Sequence, residues 1–195
     1  MSKADTTRFT ILKKAFDLIY ARGYQLTSVD DIIAETHVTK GAFYYHFTNK
    51  DAMGLAVIKE VMYPGMREAL IIPLMKGGDP TSEIYSMMKG LLLHNKFFHT
   101  RYGCPAINLI EEMAPVNKSF QKALRQLIEE WQNAIARVVD NGKKSGKINR
   151  HVKGTQVACF ISAGYGGVRN MGKIYGAECY KVYLDELKKY LISLK

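Results

Sequence analysis

Residues 39–52 read TKGAFYYHFTNKDA. Five rings stand there in a row, Phe43, Tyr44, Tyr45, His46 and Phe47, with Lys40 on one side and Lys50 on the other. Taken as a helix, residues 39–47 place Phe43 and Phe47 four apart on a shared face. With Ile11, Phe16, Ile19, Ile32 and Ile33 they supply the core of a small three-helix unit. Another face begins with Gly41 and Ala42, small enough for close approach to another surface. Lys40 and Tyr44 lie four apart on it, and Tyr45 follows Ala42 by three. A helix start that offers amides, small side chains and a lysine suits phosphates and base edges. The Tyr44 hydroxyl can donate to a phosphate while its ring meets a sugar or a thymine methyl group. Lys50 falls at the start of the next helix, where its charge opposes the macrodipole. That position is poor for stability and good for a phosphate.

Working outward, the text reads as helix after helix. Ile11, Leu12, Ala15, Phe16 and Ile19 form one stripe. Asp5 or Thr6 can cap that helix and Gly23 can end it. A helix of about two turns follows, with Thr27–Asp30 or Ser28–Asp31 spaced as a capping box. Thr39 and Asn49 are N-caps for the next two helices. Two helices joined by a short turn are the units of a helix-turn-helix. Downstream, Pro64 breaks or kinks the fourth helix, and residues 76–83 form a linker with Thr81 or Ser82 as the next cap. A long helix is predicted from about Glu83 to His99, a short one over 106–113, a long one over 117–141 ending at Asn141-Gly142, and two more over 155–172 and 178–193. The expected fold is all-α. A helix-turn-helix domain occupies residues 1–49 and a larger helical body residues 50–195.

The formal net charge is +10 over 195 residues. A basic balance fits nucleic acid or an anionic surface. Residues 1–50 carry 7 basic and 5 acidic side chains, whereas 143–195 carry 11 and 3. Most of the excess therefore lies far from the aromatic cluster. Cys104, Cys159 and Cys179 are too few and too scattered for a disulfide framework or a zinc site. No apolar run approaches the ~20 residues of a membrane helix, and no signal sequence is read at the N-terminus. The expectation is a cytoplasmic protein without membrane, metal or cofactor.

Residues 7–60 resemble the DNA-binding domain of the TetR family of transcriptional regulators. AFDLIYARGY, TSVDDIIAETHVTKGAFYYHF and NKDAM fall in register without gaps, and GAFYYHF followed by Asn-Lys is specific to the family. The resemblance implies a recognition helix over Thr39–Tyr45, with Lys40, Gly41, Ala42 and Tyr44 reaching bases or adjacent backbone. Thr27, Tyr45, His46 and Lys50 would hold phosphates. Ser28 stands where some relatives touch a base. The stretches YGCPAINLIEEM and WQNAIARVVDNGKKSGKI are similar to one group of TetR-type C-terminal domains, which bind an effector and dimerise. That implies a homodimer built from the last two long helices, a palindromic double-stranded operator, and a small-molecule effector whose binding releases DNA. Candidate pocket residues are His94, Phe98, Cys104, Asn108, Glu111, Trp131 and Tyr165.

Two other readings compete. Residues 167–174, GVRNMGKI, nearly match a phosphate-binding loop but place Ile174 where a magnesium-binding hydroxyl belongs. A helix whose small residues Ala163, Gly164, Gly167 and Gly172 admit a close partner helix explains them better. Glu111-Glu112 are adjacent and so face different ways on a helix. No Ser or Cys partner with a usable His spacing stands beside them, so no catalytic site is expected. The remaining alternative is a helical ligand- or nucleotide-binding protein without operator binding.

Overall fold

The computed structural model describes residues 3–195, which form helices with no strand among them. Two compact units emerge: one comprises the chain to Pro64 together with Pro105–Arg125, the other Gly65–Cys104 with Gln126–Lys195. The unit that holds the helix-turn-helix thus reaches beyond residue 49 and takes in a second, later piece of chain.

The first unit begins with α1 (Lys3–Arg22), α2 (Val29–Thr36), α3 (Lys40–His46) and α4 (Lys50–Val57). Ile11, Leu12, Ala15, Phe16, Ile19, Ile32, Phe43 and Phe47 are all buried, so the predicted stripe lies in the core, while Ile33, also expected there, is only half-buried. α1 stops at Gly23, whose φ of 94° favours glycine. Of the two capping boxes considered for α2, Ser28 with Asp31 is the one formed. Thr39 caps α3 and Asn49 caps α4, each accepting from an amide three residues on. Arg8 ties α1 to the end of α3: its guanidinium lies 4.5 Å over the Phe47 ring and donates to the His46 carbonyl.

The later piece brings α7 (Pro105–Met113) and the start of α8 (Lys118–Lys144) into this unit. The Tyr24 hydroxyl donates to Asp51 at 2.6 Å, and Asn117 donates to the other oxygen of the same carboxylate. Phe120 meets the Tyr24 ring edge-on at 5.1 Å. Glu112 accepts from the Gln25 amide.

The second unit contains α5 (Tyr63–Leu70) from Gly65 onward, α6 (Pro80–Lys89), the rest of α8, α9 (Gly154–Tyr175) and α10 (Glu178–Ile192). Three expectations are corrected here. The cap of α6 is Asp79, not Thr81 or Ser82, because Pro80 fills the first helical position and the Asp79 carboxylate accepts from both downstream hydroxyls and the Ser82 amide. The long helix to His99 does not form. α6 gives way to a π-helical turn over Gly90–His94, and Asn95 then leaves the helix and uses its side chain to bond the Phe97 amide. α8 runs through Gly142 rather than ending there. Pro80 and Ile148 press so close that a side chain at 142 would lie 2.7 Å and 2.6 Å from them. The left-handed turn falls instead at Gly146.

Candidate functional site

α2 and α3 are joined by a turn in which His37 takes a left-handed conformation, φ 55°, and its amide bonds the Ile33 carbonyl. With Phe43 and Phe47 anchored inward, α3 must present the remainder outward. Tyr45 is 79% exposed and Tyr44 48%. Gly41 is exposed too, and a Cβ there would meet only the Thr39 hydroxyl, at 4.0 Å. Lys40 pairs with Asp30 at 2.9 Å, with both side chains well exposed. Such a pair is weak in water and is readily exchanged for a phosphate. Ala42 and His46 are half-buried.

The other predicted contact residues sit differently. Thr27 is 0% exposed, and its hydroxyl donates to the Gly23 carbonyl at 2.7 Å. Its side chain is committed to the interior of the unit. Ser28 is exposed, but its hydroxyl and amide are held by Asp31. Those bonds hold the Asp31 carboxyl below the usual range, Ser28's hydroxyl first and its amide second. The Lys50 ammonium lies 4.4 Å over the Tyr24 ring. Partial burial pulls its pKa down, against the opposing pull of Asp51, Glu112 and Asp31.

The candidate pocket residues divide. Phe98 and Tyr165 stand beside Arg169 in the second unit, Trp131 lies edge-on to Tyr165, and Cys104 is buried in that unit too. His94 borders a separate cleft of about 650 Å³ with Glu68, Pro73 and Leu91. Asn108 and Glu111 lie on α7, in the first unit. Arg169 and Tyr180, which the sequence did not single out, belong to the same buried cluster. The available signal was an arginine set in the small and apolar run AGYGGVRNMG, four residues after Tyr165. Residues 167–174 lie inside α9, so the strand–loop–helix of a phosphate-binding loop is not formed. Gly164 and Gly172 face Tyr183 and Tyr180 of α10 in the same chain, while Ala163 and Gly167 stay exposed. Among the described residues no cluster of metal-binding side chains occurs. Among the described residues no helix is long and apolar enough to cross a membrane.

A 34% identity over 130 residues links the chain to an HTH-type transcriptional regulator from the lacX 3' region of Lactococcus lactis, covering 67% of this chain and 66% of that one. The repressor DhaR of Mycobacterium sp. strain GP1 is 24% identical over 164 residues, covering 80% and 77%. The crystal structure of a TetR transcriptional regulator from Chloroflexus aurantiacus superposes with a TM-score of 0.88 at 25% identity, covering 98% and 97%. Residues 82–181 match the tetracyclin repressor-like C-terminal domain. Residues 11–57 match the bacterial regulatory proteins of the tetR family, and with both halves accounted for the chain belongs to that family.

Proposed function

We propose that the protein is a dimeric transcriptional repressor that binds a palindromic operator through α3 and leaves it when a small molecule binds the second unit. The observation that carries the reading is the pair of exposed tyrosines on a seven-residue helix anchored inside by Phe43 and by Phe47 at its C-cap. Tyr44 leans edge-on against Phe43 at 5.3 Å yet leaves about half its surface free, and Tyr45 is largely outside; a sugar–phosphate surface takes both ring and hydroxyl. The contact set is Lys40, Gly41, Ala42, Tyr44, Tyr45 and His46, with Thr39 and Ser28 at its edge. Lys50 joins it by leaving the Tyr24 ring for a phosphate. Thr27 is dropped, because its hydroxyl already serves Gly23.

Dimerisation through α9 and α10 is supported by an apolar strip left uncovered on α9: Phe160, Met171 and Ile174 are exposed in line with Ala163 and Gly167. A two-fold dimer sets two recognition helices about 34–36 Å apart in successive major grooves. A ligand that prefers the conformation with another spacing then empties the operator through differential affinity alone.

The test is selection of random duplex DNA on the purified protein at two salt concentrations. A two-fold symmetric motif is expected, with affinity falling steeply as salt rises, and lost with Tyr44→Ala. Enrichment without symmetry, or a motif retained by Tyr44→Ala, would sink the assignment of α3.

A further inference from the structure

The second unit buries a positive charge with no carboxylate against it. Arg169 is 0% exposed. One terminal nitrogen donates to the Gly103 carbonyl, while Nε and the other terminal nitrogen have no hydrogen-bond partner. The rings of Phe98, Tyr180 and Tyr165 stand 5.4, 5.5 and 6.0 Å from the guanidinium carbon. Trp131 lies edge-on to Tyr165 at 5.3 Å, and its buried indole N–H also lacks an acceptor. One aromatic cluster thus holds three buried donors with nothing to receive them. Aromatic faces offset part of the desolvation of a guanidinium, but a native interior leaves few polar groups unmatched. An unpaired buried ion is worse still.

We infer that Arg169 anchors the carboxylate of an apolar monocarboxylic acid, whose body lies among Phe98, Trp131, Tyr165 and Tyr180. The inference rests on the proposed role of this unit in binding an effector. The charge count selects the class. One guanidinium is neutralised by one carboxylate, whereas a phosphate dianion leaves a net negative charge among rings. Planar bidentate recognition of a carboxylate is what arginine does better than lysine. Entry is coupled to the stretch between Asn95 and Cys104. Phe98 and the Gly103 carbonyl both belong to it, and it holds only a single 3-10 turn over Thr100–Tyr102 before Gly103 at φ 74°. An incoming carboxylate replaces the Gly103 carbonyl on Arg169 and releases that stretch.

The experiment is thermal melting of the full-length protein and its Arg169→Met and Arg169→Lys variants, with phenylacetate or hexanoate at millimolar concentration. Phenylacetamide and inorganic phosphate are the controls. Without ligand, Arg169→Met is expected to melt no lower than wild type, because methionine fills the site without a charge. Both acids are expected to raise the wild-type midpoint by several degrees, the controls to do nothing, and Arg169→Met to lose the response. Arg169→Lys should keep the fold and weaken acid binding at least tenfold. Three results would overturn the inference: a markedly lower midpoint for ligand-free Arg169→Met, no shift with either acid on wild type, or an equal shift with the amide or phosphate. Fluorescence anisotropy on the selected operator separates this from the broader reading. Operator binding without any acid response leaves a repressor with another effector. Acid binding without any operator leaves the Arg169 site and removes the regulatory role.

Discussion

At Gly54 the packing of the first unit can be tested one methyl group at a time. A Cβ there would lie 2.7 Å from both Phe120 and the Tyr24 ring, and both side chains are buried. Gly→Ala inside an exposed helix gains about 1 kcal/mol. Here overpacking of about 1–3 kcal/mol opposes it, so Gly54→Ala should lower the melting midpoint, at about 2–4 °C per kcal/mol for a chain of this size. Tyr45 is the opposite case. Its ring touches little but His46, so Tyr45→Ala should leave the midpoint within a degree or so. It should weaken operator binding about tenfold, as measured by anisotropy; each tenfold is about 1.4 kcal/mol. The sequence made the Phe43–Phe47 face legible because i,i+4 spacing alone fixes it. It could not show that Thr27 turns inward, since Thr, Ser and Asp at 27–31 allow two capping schemes and only packing selects one.

At the scale of elements, the caps of α3 and α4 were legible in the sequence and the cap of α6 was not. The expected cap at Thr81 or Ser82 lost to Asp79 because a carboxylate preceding Pro80 offers a stronger acceptor and the proline tolerates the first helical turn. The Thr81 hydroxyl, the Ser82 amide, Lys195 and the Ser82 hydroxyl together hold the Asp79 carboxyl well below its ordinary 3.8. A depressed carboxyl contributes stability that is complete above the ordinary value and is lost as pH falls through the folded one. Asp79→Ala should therefore cost about 1 kcal/mol at pH 7, and the gap from wild type in urea melts should narrow steadily below pH 3.8. The helix from Glu83 to His99 was over-read because its apolar periodicity does persist through Leu91 and Leu92. What ends it is the side chain of Asn95, a local competition that periodicity does not register.

For the whole molecule, the uncovered strip on α9 sets the expected association. Ile174 is 71% exposed. Ile174→Asp, or Met171→Asp, should convert the dimer to a monomer in sedimentation while leaving helix content unchanged by circular dichroism, and operator affinity should fall with the lost second half-site. The order of the main helices was legible in the sequence because most carry an apolar stripe and several a side-chain cap; the separate helix over Tyr63–Leu70 was not, since only a break or kink at Pro64 was read there. The partition of the helices was not legible either. That residues 105–125 belong with α1–α4 depends on Tyr24, Asp51 and Gly54 meeting Asn117 and Phe120, across more than 60 positions of sequence, and no local pattern encodes such a meeting.

That partition bears on how such a chain can be recombined. A DNA-reading module cut at Pro64 and grafted onto a foreign sensor would arrive without the acceptor's counterparts to Phe120, Asn117 and Glu112, leaving the Tyr24 ring and the Gln25 amide bare. A working chimera has to import residues 105–125 as well, so two crossovers within the body must be inherited together.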